Sequence, residues 1–205
     1  MRFPLFCILL TLTLLLPGCG FFRIGEAGSL TATSHDNPDV RLDAGFDRAI
    51  YALNDNQSIT ALLIAGPTAQ PERVVTLRVF WTPRAGRTPV SRQATNTAIE
   101  VMVFADRPAP GPRELGLYAG AGYVYLRDQP GERLIQGEVW DADLLLRDQS
   151  LGFRDRLGRT NLTGRIQLQR DDQAVRETLT KLRHTISQTL EYPRLVIADQ
   201  TPPAI

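Results

Sequence analysis

Three groups of residues have the types and spacing to do chemistry. Asp141 and Asp143 alternate along an apolar segment, so they share one face of a strand, and Asp148 and Asp155 follow shortly after. Carboxylates so placed supply the several oxygen ligands that a hard cation such as calcium requires. Arg84, Arg87 and Arg92 fall in one loop, and Arg147, Arg154, Arg156 and Arg159 in another. Guanidinium groups bind carboxylate and phosphate bidentately, so two such loops meeting at one end of a domain would form an anion-binding rim. Asp148 and Asp155 could equally neutralise that patch internally. The third group is a single thiol, Cys19, directly after an apolar N-terminal run that itself holds Cys7.

Beyond these groups little is equipped for catalysis. His35 lies in a polar N-terminal stretch and His184 on the polar side of a helical pattern, and both read as solvated surface residues. There is no Gly-x-Ser-x-Gly elbow, no His-Glu-x-x-His and no Walker loop. No nucleophile pairs with an evident base. The residues point to a non-enzymatic binding or structural module, with a carboxylate-only hydrolase as the third reading after a calcium module.

Met1-Arg2 precede an apolar stretch from Phe3 to Leu16. A bilayer-spanning helix needs about 20 apolar residues, so this run is short for a span and has the length of an export signal. It ends in Leu16-Pro17-Gly18-Cys19, which resembles the lipobox of bacterial lipoproteins. The resemblance implies cleavage of a signal peptide at residues 1–18, a diacylglycerol on the Cys19 thiol, and acylation of the new amino group with a chain such as palmitate. It also implies export and anchoring to the cell membrane or outer membrane. Gly20, in place of Asp, resembles the outer-membrane-sorted class. Each buried methylene contributes roughly 0.8 kcal/mol, so two or more chains anchor stably where one is marginal. An ordinary signal peptide with a chance cysteine, or an uncleaved anchor, would carry the same apolar run.

Val139-Trp140-Asp141-Ala142-Asp143, then Asp148, then Asp155-Arg156-Leu157-Gly158 and a strand at Leu162–Leu168, resembles the calcium-binding third loop of C2 domains. The resemblance implies Asp141, Asp143 and either Asp148 or Asp155 as ligands in a calcium- and phospholipid-binding module. A strand face bearing two aspartates needs no metal, however, and the reading adopted from the residues themselves assigns no metal and no cofactor.

Composition narrows the class. A chain of 205 residues suits one domain with a decorated end and can bury roughly 70% of its unfolded surface. With Cys7 in the apolar run and Cys19 its neighbour, the remainder holds no cysteine, which excludes disulfide staples and thiolate zinc. Lys and Arg number 23 and Asp and Glu 22, a balance that excludes a general nucleic-acid binder. Lys181 is the sole lysine, a bias that reads as codon composition.

The elements that must position these groups are mostly strands. Residues 19–38 read as a lipidated N-terminus and tether, with a short strand at Ser29–Thr33. Ala49–Leu53 and Ser58–Ala65 flank turn residues. Arg73–Thr82 alternates, with Val75, Leu77, Val79 and Trp81 on one face and Thr76 and Arg78 on the other, as in a half-buried strand. Thr97–Ala105, Leu115–Arg127, Leu134–Arg147 and Asn161–Arg170 continue the pattern. Trp140, Ala142, Leu144 and Leu146 are expected on one face, opposite Asp141 and Asp143. Gly116, Gly120 and Gly122 share a face and signal a bend, a bulge or close approach of another backbone. Over 171–191 the period changes: Val175, Leu179, Leu182, Ile186 and Leu190 form one helical stripe, stopped by Pro193. Arg194–Ala198 reads as a closing strand and 200–205 as a loose tail.

The expectation is thus a mainly β protein, an antiparallel β-sandwich that is immunoglobulin-like in the loose sense, spanning 39–199 with one C-terminal amphipathic helix. Its partners would be the membrane through Cys19 and an envelope protein or glycan, with no nucleic acid.

Overall fold

A computed structural model describes residues 27–54, 56–82, 94–105 and 113–193. The order is β1 (Gly28–Ser34), β2 (Arg41–Gly45), β3 (Arg48–Leu53), β4 (Ile59–Ala65), β5 (Arg73–Val79), β6 (Thr97–Ala105), β7 (Glu114–Leu126), β8 (Leu134–Gln149), β9 (Thr160–Arg170) and α1 (Asp172–Leu190). The protein is mainly β, and the nine strands among the described residues form a sheet in the order β2-β1-β9-β3-β4-β5-β6-β7-β8. Neighbours are antiparallel except β3 and β9, which run parallel.

Strand β9 closes this sheet. One of its edges pairs with β8 from Thr160 to Gln169. The other is shared, with β1 opposite Thr160–Ile166 and β3 opposite Gln169 and Arg170. Strands β3 to β9 therefore form a ring, and the β1–β2 hairpin extends from it along β9. The expected antiparallel β protein with a C-terminal helix is present in this coarse form. The strands belong to one curled sheet instead of the two packed sheets of a sandwich. Alternation alone does not separate the two, because it marks a buried face without saying what lies across from it.

Two apolar clusters follow. The inside of the ring is filled by Leu30, Tyr51, Leu63, Leu77, Ile99 and Val139 among others. The second lies outside the ring, where Ile50, Leu62, Ile64, Val74, Met102 and Leu117 receive the helix stripe Val175, Leu179, Leu182, Ile186 and Leu190. Strands β3 to β5 are buried on both faces, and Thr76 and Arg78, expected on an open face, are 2% and 6% exposed. Asp171 caps α1 by accepting from the Ala174 backbone N–H at 2.9 Å.

Two boundaries differ from the sequence reading. Gly28–Ser34, placed within the tether, is strand β1, longer than the short strand expected there and part of the sheet. Strand β2 was not anticipated, since only Leu42 and Ala44 mark its buried side. Residues 1–26, including the signal segment and Cys19, and the closing strand and tail expected after 193 lie outside the described residues.

Candidate functional site

The site begins with a bulge. Val139 pairs with Gly164 and Ala142 with Leu162, so one residue too many lies between them on β8. Asp141 absorbs the excess with φ +43°. The bulge resets the alternation: Val139, Ala142 and Leu144 point into the ring, whereas Trp140 turns outward and is 43% exposed. This corrects the expectation that Trp140 shares a face with Ala142 and Leu144. Gly120 and Gly122 make the bulge possible, since a Cβ on Gly120 would lie 1.8 Å from the Asp143 carbonyl oxygen.

Outside the ring, Trp140 meets the outward side chains of β7. Its ring stacks on Tyr125 at 5.6 Å between centroids and 11° between planes, and on Tyr123 at 5.7 Å and 30°. Trp81, just past β5, meets Tyr123 edge-on at 6.0 Å. Asn96 fixes that approach: its Nδ2 donates to the Trp81 carbonyl at 3.0 Å and the Val124 carbonyl at 2.9 Å, and its Oδ1 accepts from the Val124 N–H at 2.8 Å. Both tryptophans of the chain thus stand on one exposed face, with Tyr125 beside them. Tyr123 is buried beneath, and its hydroxyl has no hydrogen-bond partner. Burial, and then the neighbouring Tyr125, push its ionisation above the usual range.

A polar flank continues the face. Trp140 Nε1 donates to Glu138 Oε2 at 3.2 Å. The other Glu138 oxygen takes the Arg127 guanidinium and lies 3.7 Å from Arg165 Nε. The Trp140 hydrogen bond foremost, and Arg127 next, hold the Glu138 carboxyl below the usual range. Arg127, Glu138 and Arg165 line a groove of about 260 Å³ whose other wall is Gly28 and Ser29.

The aspartates predicted from sequence are not brought together. Asp143 binds His35 Nε2 at 2.8 Å and Arg159 Nη2 at 3.1 Å. Those contacts, His35 first and Arg159 after it, hold its carboxyl below the usual range. Asp155 accepts from the Tyr118 hydroxyl at 2.6 Å and from the Leu157 and Gly158 N–H groups at 3.0 Å each. Burial and that bond to Asp155 push the Tyr118 phenol far above its usual range. Asp148 accepts from the Tyr192 hydroxyl and the Gln149 N–H. Asp141 sits exposed in the bulge. Among the described residues no group of three His, Cys, Asp or Glu side chains is placed to hold a metal ion.

Of the arginines, Arg154 and Arg156 are exposed and Arg159 is committed to Asp143. Arg84, Arg87 and Arg92 lie outside the described residues, as does any meeting of the two loops. A second cavity, about 410 Å³, lies between α1 and the β4–β5 turn, with Ile64, Val74, Phe104 and Leu182 below and Arg113 and Lys181 at its rim. Sequence reasoning missed the aromatic face because the bulge is invisible to alternation. The available signal was Tyr123 and Tyr125 at alternate positions of one strand, β7. No protein-family model, curated protein or solved structure matches the chain.

Proposed function

We propose that the protein is a lipid-anchored envelope module that binds through its aromatic face and does no chemistry of its own. Leu16-Pro17-Gly18-Cys19 supports the anchor. The observation that carries the binding reading is the exposure of Trp81, Trp140 and Tyr125 on one face above the buried Tyr123. Large aromatic rings left in solvent with polar tips are the residues interfaces favour. The hydrolase reading asks for paired buried carboxylates, whereas Glu100 is the sole fully buried carboxylate among the described residues. The calcium reading asks for converging aspartates, and these four are dispersed.

Two measurements in cells test the proposal. A clickable palmitate should label the wild-type protein and fail to label Cys19→Ser; equal labelling of both would end the anchor reading. A photo-crosslinking residue at position 125 should give adducts that the same residue at the fully exposed Leu151 position does not. Identical products at both positions would end the role of the aromatic face.

A further inference from the structure

We infer that the aromatic face docks on a phospholipid bilayer, the one in which Cys19 is anchored; this rests on the lipidation reading above. The Ala27 N–H donates to the Phe46 carbonyl at 3.0 Å, and its carbonyl accepts from the Gln167 N–H at 2.9 Å, so the chain leaves the ring at a fixed point. Eight peptide units separate Ala27 from Cys19 and reach at most about 29 Å when fully extended. A domain held on so short a lead keeps the side bearing its exit close to the headgroups.

That side carries the aromatic face. Gly28 pairs with Ile166, and Ile166 with Gly137, so β8 lies two strands, about 10 Å, from the exit. Glu138 and Arg165 share a groove with Gly28 and Ser29, and Glu138 is hydrogen-bonded to Trp140. Exit, ion cluster and aromatic rings are thus contiguous.

The chemistry fits the same occupant. Trp and Tyr partition to the membrane–water boundary, with the ring among the upper acyl segments and the N–H or O–H toward water. Trp81, Tyr125 and Trp140 present such rings, and Phe80, the chain neighbour of Trp81, is 50% exposed. Arg127 and Arg165 at the border offer guanidinium groups to lipid phosphates. A sugar would need a free ring face on which to stack, and Trp140 already gives ring face to both Tyr123 and Tyr125. The pattern favours shallow insertion of ring edges.

Because the chain has only two tryptophans, its intrinsic fluorescence reads the face directly. The lipidated full-length mature protein would be reconstituted into phosphatidylethanolamine–phosphatidylglycerol vesicles, as wild type, Trp81→Phe and Trp140→Phe. Mass spectrometry of the same vesicles reports the lipid on Cys19. The expected result is emission shifted to shorter wavelength and quenched by lipids brominated near the headgroup more than by lipids brominated at the chain ends. Lipidated protein whose tryptophans stay unquenched at every bromine depth would overturn the docking while leaving the anchor intact. Protein without lipid on Cys19 would remove the anchor reading, and the inference with it.

Discussion

Nε2 of His35 lies 2.8 Å from Oδ1 of Asp143, joining residues 108 positions apart at the end of β1 and the middle of β8. Arg159 takes the other carboxylate oxygen, and its carbonyl accepts from the His35 N–H at 2.8 Å. The three form a clip across β1, β8 and the entry to β9.

This clip makes stability depend on acid in a defined direction. The Asp143 carboxyl is held below its usual range, by His35 and then Arg159, so its contribution is present above the unfolded value near 3.9 and is lost as pH falls through the lower folded value. Its members are about half exposed, and solvent screening limits the contribution to less than about 1 kcal/mol. Urea unfolding of wild type and Asp143→Asn should differ by that amount at neutral pH and converge in strong acid. A constant difference across the acid range would mean that the ion contacts contribute nothing.

Calcium should leave the protein indifferent. Asp143, Asp148 and Asp155 are each engaged by separate donors, and Asp141 stands apart from them in its bulge. The thermal unfolding midpoint is expected to be the same with millimolar calcium and with chelator. A rise that Asp141→Asn with Asp143→Asn abolishes would establish a metal site on this loop.

Tyr123→Phe should be neutral or stabilising. The hydroxyl is buried without a partner, a state that costs about 1–3 kcal/mol relative to a bonded one. Removing the oxygen leaves the ring contacts with Trp81 and Trp140 in place. The midpoint should hold or rise, with tryptophan emission unchanged. A clear fall would show that the hydroxyl is bonded in solution.

Gly120→Ala should be among the more damaging single-methyl changes in the protein. The new Cβ would meet backbone, the Asp143 carbonyl oxygen at 1.8 Å, and backbone yields only by shifting the strand. A loss of about 2 kcal/mol or more is expected. Gly45→Ala is the matched control, since nothing lies within 4 Å of its added carbon. Denaturant midpoints that move equally for the two would contradict the close packing of β7 on β8.

The strands and the helix were legible because their periods are local properties. Val175, Leu179, Leu182, Ile186 and Leu190 announced a buried stripe, and α1 buries those residues. The alternation at Thr97–Ala105 gave β6 its bounds. Pairing between distant strands was not legible, so a curled sheet and a sandwich looked alike until β9 was seen between β8, β1 and β3. The aspartates were visible as a pattern, yet their partners come from elsewhere in the chain, His35 above all. The aromatic face depended on one extra residue at Asp141, which no count of apolar positions could reveal.

The closure of the ring at β9 also sets an order of events. Strand β1 waits for Thr160–Ile166, and β3 and β8 are joined only through the same strand. Contacts of such sequence separation form late and slowly. Synthesis, which delivers this chain from its N-terminus, handles an open sheet until Arg170 has emerged. The early hairpins then lack their closing partner until that strand arrives, and the ring locks last.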